Sequence, residues 1–164
     1  MGVIITSADP AHPPVRALVE ELDAYLIPLY PAESNHLLDI ETLRQPEMRF
    51  FAAFRSDEVL AIGGCWLHHD YAEVKRLYVK PEARGLGLAK QIMQRIEAEA
   101  LAAGRILARL ETGIHQPESL GLYRRLGYVE CGAFGDYPTD DPNSVFMEKP
   151  LRKQFEPDGS RDHP

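Results

Sequence analysis

The sequence predicts an α/β fold: a single domain whose mixed sheet of about six to seven strands is flanked by about four helices. Three observations carry this. Runs rich in β-branched and aromatic residues alternate with stretches whose apolar residues recur every three or four positions, so both periods are present in one chain. Residues 73–110 read strand, helix, strand, a crossover that lays the second strand parallel to the first. At 164 residues with 45% hydrophobic content, the chain is long enough for one substantial core.

The elements follow in order. Residues 3–6 (Val-Ile-Ile-Thr) read as a short first strand, and residues 7–14 turn the chain into a helix that runs to about Tyr30. Val15, Leu18, Val19, Leu22, Leu26 and Leu29 give that helix one apolar stripe, and Pro28 is placed to kink or stop it. Residues 31–36 form a loop, and residues 37–44 a second short helix ending before Pro46. Residues 48–55 and 59–68 are two strands joined across Ser56-Asp57-Glu58, a hairpin-length link. Gly63-Gly64 inside the second of them signals a bulge or a close backbone approach.

Residues 72–79 form the central strand. Residues 85–103 form the long helix, with Leu88, Ala89, Ile92, Ile96 and Ala100 facing the core and Gly104 at its C-terminal end. Residues 106–110 are the parallel strand, residues 117–126 a helix opened by Pro117 and closed by Gly127, and residues 128–131 and 144–149 two last strands around a loop at 135–143. Residues 152–164 are polar without periodicity and are expected to be disordered, so the domain spans residues 1–151.

The junction at residues 79–90 has a physical use. The first turn of a helix leaves backbone N–H groups without intrahelical partners and carries the positive end of the helix dipole, which suits phosphate. Gly85 and Gly87 lack a Cβ and can take φ > 0 if the turn needs it. Two familiar phosphate loops are absent: Lys90 is not followed by Ser or Thr at the spacing of a nucleoside-triphosphate loop, and it stands where a dinucleotide fingerprint needs Gly or Ala.

Arg84-Gly85-Leu86-Gly87-Leu88-Ala89 instead resembles the Q/R-x-x-G-x-G/A signature of the GCN5-related N-acetyltransferases, the GNAT family. Glu73 lies eleven positions before Arg84, where that family places a catalytic glutamate, and residues 122–128 (Leu-Tyr-Arg-Arg-Leu-Gly-Tyr) resemble its second signature, L-Y-x-x-x-G-F/Y. The resemblance extends over residues 3–151 and implies a sheet splayed between its fourth and fifth strands.

It also implies a donor, acetyl-CoA, and an acceptor amine. The pyrophosphate would lie on the N–H groups from Arg84 through Gly85, Leu86, Gly87 and Leu88 to Ala89. The pantetheine would pair with the backbone of Leu77, Tyr78 and Val79. An alkyl ammonium keeps its proton to about pH 10.4, so attack on a thioester needs a proton acceptor. By resemblance Glu73 is that base, and Tyr123 the acid that protonates the departing thiolate. The alternatives are a surface carboxylate paired with Lys75 and a core tyrosine.

His115 stands with Gln116 where the family often has a pantetheine-contacting asparagine, and otherwise is a loop histidine. His36 in the loop after the first helix, and Asp136 and Tyr137 in the loop before the last strand, are candidate acceptor contacts or ordinary solvated loop residues. The rival reading is a non-catalytic acyl-CoA-binding or sensing module, which would make Glu73 and Tyr123 dispensable.

A net charge of −7 and a pI near 5.4 argue against a nucleic-acid partner. The expected acceptor is a small-molecule or peptide amine, and homodimers are common in the resembled family. No apolar run spans a bilayer and no signal-type segment opens the chain, so a cytoplasmic protein without a membrane partner is expected. Cys65 and Cys131 read as reduced, buried thiols, and His68-His69-Asp70 as an exposed turn rather than a metal site.

Overall fold

The computed structural model describes residues 2–35 and 37–152. Apart from Arg152, the tail expected to be disordered lies outside the described residues, as does His36. Seven strands form one sheet in the order β1-β2-β3-β4-β5-β7-β6, where β1 is Ile4–Ser7, β2 Met48–Arg55, β3 Glu58–Leu67, β4 Ala72–Val79, β5 Leu107–Gly113, β6 Val129–Cys131 and β7 Ser144–Pro150. Four helices flank it: α1 Pro13–Leu26, α2 Ile40–Leu43, α3 Leu88–Ala102 and α4 Pro117–Arg125. Neighbouring strands are antiparallel except β4 and β5, which are parallel as the crossover requires. The predicted mixed, splayed sheet is therefore the fold observed.

Burial fixes which face each element covers. α1 lays Val15, Leu18 and Val19 against Phe50, Ala52 and Ile62 on one face of the sheet. α3 lays Leu88, Ile92, Met93, Ile96 and Ala100 against Val74, Leu110 and Met147 on the other. Each such buried aliphatic side chain contributes about 1.5–3 kcal/mol, so Ile96→Ala on the second face would leave a costly cavity. Tyr128 donates to Glu97 at 2.8 Å and Lys149 pairs with the same carboxylate at 2.9 Å, tying α3 to the far half of the sheet.

Several boundaries differ from the sequence reading, three of them for a clear local reason. The first helix stops at Leu26 and continues only as a 3₁₀ turn over Ile27–Leu29, because Pro28 has no N–H to donate and crowds the preceding turn. The second helix is the single turn Ile40–Leu43, capped by Asp39, whose Oδ1 accepts from Thr42 N at 2.8 Å. α3 begins at Leu88, since Gly85 and Gly87 hold φ of +88° and +76° and cannot belong to a right-handed helix. β5 runs three residues past the expected end, through Glu111, Thr112 and Gly113.

Two irregularities shape the middle of the sheet. Ile62 pairs with Tyr78 and Gly64 with Lys75, so Gly63 alone faces both Arg76 and Leu77. The predicted bulge is real, but its extra residue is on β4. Arg76 takes φ +58° there, and two consecutive side chains, Lys75 and Arg76, consequently emerge on the α1 face. The parallel pair β4–β5 then has only two registered positions, Ala72 with Ala108 and Glu73 with Arg109, before the strands part.

Candidate active site

The parting of β4 and β5 opens a cleft of about 110 Å³. Its floor is residues 74–77 of β4 and residues 111–113 of β5. α1 contributes Leu22 and Leu26, and α4 contributes Ser119 and Tyr123. Beyond Val79 the same line leads to a second cavity of about 450 Å³, formed by the turn from Ala83 to Lys90 and by Leu122, Arg125 and Leu126 of α4. The two cavities meet the same stretch of β4, whose β5-side edge has no ladder partner after Glu73.

At the second cavity, no Cβ placed on Gly85 or Gly87 would meet another atom within 4 Å. Their requirement is conformational: two left-handed glycines on either side of Leu86 swing the chain so that α3 starts with its free N–H groups at the cavity. The first turn of α3 carries no acidic residue to cancel the dipole. Arg84 uses its side chain to donate from Nε to Val79 O at 3.2 Å, bracing the turn against the end of β4. Gly85, Gly87, Leu88 and Ala89 all line this cavity with Arg84, whereas Leu86 points to solvent at 53% exposure. The residues fit an extended pantetheine-diphosphate: a bare strand edge for the amides, a helix start for the phosphates.

Of the two carboxylates held near Lys75, only Glu111 lines the first cleft; Glu73 does not. Glu73 is 4% exposed and fully engaged. Lys75 Nζ lies 2.9 Å from its Oε2, Tyr137 Oη donates to the same oxygen, and His68 Nε2 is 2.9 Å from Oε1. Burial would raise its pKa, but the Lys75 charge and the three hydrogen bonds together hold it below the usual carboxylate value. Glu111, which the sequence reading did not single out, lines the cleft on β5 and accepts from Ser144 Oγ at 2.7 Å. Burial pushes it up to about 7; the Ser144 bond and Lys75 oppose this, while Glu73 and Asp141 add to it.

Tyr123 reaches the cleft from the opposite side. It packs in the α3 core with Val74 and Leu110, edge-on to Tyr128 at 5.9 Å, while Glu111 alternates with Leu110 and so faces α1. Burial alone raises the Tyr123 pKa, keeping its hydroxyl protonated, and that hydroxyl has no hydrogen-bond partner among the described residues. A tyrosine and a carboxyl on opposite faces of the sheet thus line one cleft.

Loops roof the α1 side. Tyr30 Oη donates to Gln116 Oε1 at 3.0 Å and accepts from His115 N at 3.1 Å, and Asn143 Nδ2 donates to Ser34 Oγ at 3.3 Å. A Cβ on Gly113 would lie 1.8 Å from the Tyr30 hydroxyl, so this roof closes only over glycine. Of the remaining sequence candidates, Tyr137 is in the cleft and bonded to Lys75 at 2.8 Å. Asp136 is exposed, and the His115 ring is exposed and stacked on Tyr30 at 5.3 Å, outside both cavities. Leu77 and Val79 border the cavities, and Tyr78 turns its hydroxyl to Glu21 on α1. His68 is committed to Glu73, and no group of three or more potential metal ligands gathers among the described residues.

With this geometry, the comparison with known proteins is direct. The profile of the Acetyltransferase (GNAT) family matches residues 15–128. The chain belongs to the GNAT family. A curated GNAT-sized relative, the IAA acetyltransferase of Azospirillum brasilense, is 48% identical over 152 residues, covering 92% of this chain and 99% of its own. A solved structure from Klebsiella pneumoniae is 35% identical with a TM-score of 0.76, covering 92% of this chain and 98% of its own. The PaiA N-acetyltransferase of Thermoplasma acidophilum, solved with coenzyme A, is 17% identical with a TM-score of 0.70 and covers 92% and 100%. At that identity it attests the GNAT fold. No helix among the described residues of this GNAT chain is long and apolar enough to cross a membrane.

Proposed function

We propose that the protein transfers the acetyl group of acetyl-CoA to a primary amine, a small amine, an amino acid or a peptide amine, by direct attack in a ternary complex. The observation that carries this reading is the convergence of Glu111 and Tyr123 on one cleft from opposite faces of the sheet. The amine would enter beneath the roof on the α1 face and lose its proton to Glu111. The thioester would lie along the bare edge of β4, and Tyr123 would protonate the sulfur as the C–S bond breaks.

The role of base, assigned by resemblance to Glu73, falls better to Glu111. A base works best with a pKa near the working pH, and Glu111 sits at about 7, whereas Glu73 is held down by a cation and three hydrogen bonds. The cleft pairs its apolar wall, Leu22, Leu26 and Leu37, with this one carboxyl, which suits an amine carried on a short apolar stem.

The test is calorimetric titration with acetyl-CoA and then CoA, followed by a thiol-release screen over alkyl amines, polyamines, amino acids and lysine peptides. The compound for which the Azospirillum relative is named belongs in the screen. Binding with CoA release on one acceptor class is expected. Binding without release on any of them would favour the sensing module, and no binding would overturn the assignment of the 83–90 turn.

A further inference from the structure

Behind Glu111 lies a closed polar cluster that the chemistry above does not use. Lys75 Nζ sits between Glu73 Oε2 at 2.9 Å and Tyr137 Oη at 2.8 Å, and Tyr137 in turn donates to that same Glu73 oxygen. The lysine side chain is 13% exposed and the glutamate 6%, so neither is free to wander. His68 closes the other end against Glu73 Oε1, stacked at 4.4 Å on Tyr71. Lys75 is presented on this face one residue before the β4 bulge, and it lines the cleft that Glu111 also lines.

We propose that Lys75, held by Glu73 and Tyr137, is a positioning residue that sets the pH at which Glu111 can accept a proton. A fixed ammonium beside a half-buried carboxyl favours its ionised form, and a fixed carboxylate disfavours it. The two members of the pair therefore push Glu111 in opposite directions, with Lys75 the stronger. The other groups facing Glu111 are Ser144 of β7, Tyr137 and Asp141 of the preceding loop, and Tyr30 from the end of α1. Arg76 also lines the cleft but is paired with Asp23 of α1 at 3.0 Å, which leaves Lys75 as the cation that acts on Glu111. Without it, the Ser144 hydrogen bond is left to offset the burial of Glu111 by itself, and the carboxyl would hold its proton to a higher pH.

The catalytic meaning of this setting rests on Glu111 being the base, but the setting itself is measurable in the ligand-free protein. The readout is the midpoint of the Glu111 side-chain carboxyl resonance, followed by ¹³C NMR against pH and assigned by its loss in Glu111→Gln. Lys75→Met should raise the midpoint by about one pH unit, Lys75→Arg should leave it near the wild-type value, and Glu73→Gln should lower it. A Lys75→Met protein with native circular dichroism and an unmoved midpoint would overturn the proposal. So would a Glu73→Gln midpoint that does not fall, which keeps the test decisive if Lys75→Met does not fold. Because no acceptor is needed, failure here is distinct from failure of the acetyl-transfer reading, which the thiol-release screen decides.

Discussion

At the scale of single residues, Tyr123 and Glu111 make separable demands. Tyr123→Phe removes one oxygen from a buried ring whose hydroxyl bonds nothing among the described residues, so packing and acetyl-CoA affinity should hardly change. Turnover should fall by about 10²-fold or more, the usual worth of a general acid. Unchanged turnover in steady-state assays would remove Tyr123 from the mechanism. Glu111 also leaves a mark on stability. Its carboxyl is raised from an ordinary 4.5 to about 7, so the folded state holds the proton more tightly than the unfolded chain. That contribution is full below about pH 4.5 and is lost as the pH rises through 7. Glu111→Gln should therefore raise the unfolding free energy at pH 8 by an amount on the order of 1–3 kcal/mol, and Tm with it, with little change at pH 4.5. A thermal denaturation series that shows the same Tm difference at both pH values would contradict this. Glu73 has the opposite sign: its depressed pKa gives stability above the ordinary carboxylate value that is lost on acidification.

At the scale of elements, the phosphate turn and the roof each depend on a glycine for a different reason. Gly87 holds φ +76° in open space, so Gly87→Ala should weaken acetyl-CoA binding through backbone strain of about 1–2 kcal/mol and leave acceptor specificity alone. Gly113 is pressed against Tyr30, so Gly113→Ala should dislodge the roof and change the acceptor KM while sparing that for acetyl-CoA. The two KM values, measured separately for each variant, check both expectations. The same contrast shows what the sequence could tell. Strands and helices were legible because their periods and stop signals are local, down to the glycine that ends α4 and the hairpin, although its turn is Ser56-Asp57 with Glu58 already paired to Arg55. Glu111 was not, because Glu-Thr-Gly has no strand signature of its own, and its importance arises only where β5 outruns its pairing with β4. The bulge was announced by Gly63-Gly64 on β3, yet the residue that bears it is Arg76, an arginine in a glycine-like conformation that no propensity foretells. It is held there by Asp23 at 3.0 Å and by the carbonyl of Leu38, contacts of long sequence separation.

At the scale of the whole molecule, the proposed reaction would be divided between the two sides of the sheet. Glu111 faces α1, Tyr123 packs on the α3 face, and the thioester would lie in the gap between them. The splayed sheet was readable from the family resemblance, whereas the place of Glu111 in the cleft arises from long-range packing. The two registered positions joining β4 to β5 also make the sheet mechanically uneven. Four strands stand on one side of that joint and three on the other, bridged there by Ala72, Glu73, Ala108 and Arg109 and clasped from outside by α3. Such a joint is where the sheet would bend most easily, and an extended ligand laid along it would act as a splint. Amide hydrogens along the β5 side of β4, at Leu77 and Val79, should then exchange more slowly with acetyl-CoA present, while those of β2 and β3 hold their rates. The stiffness of this protein, on that account, is a property it shares with its donor: half a sheet and half a sheet, made one by what they carry between them.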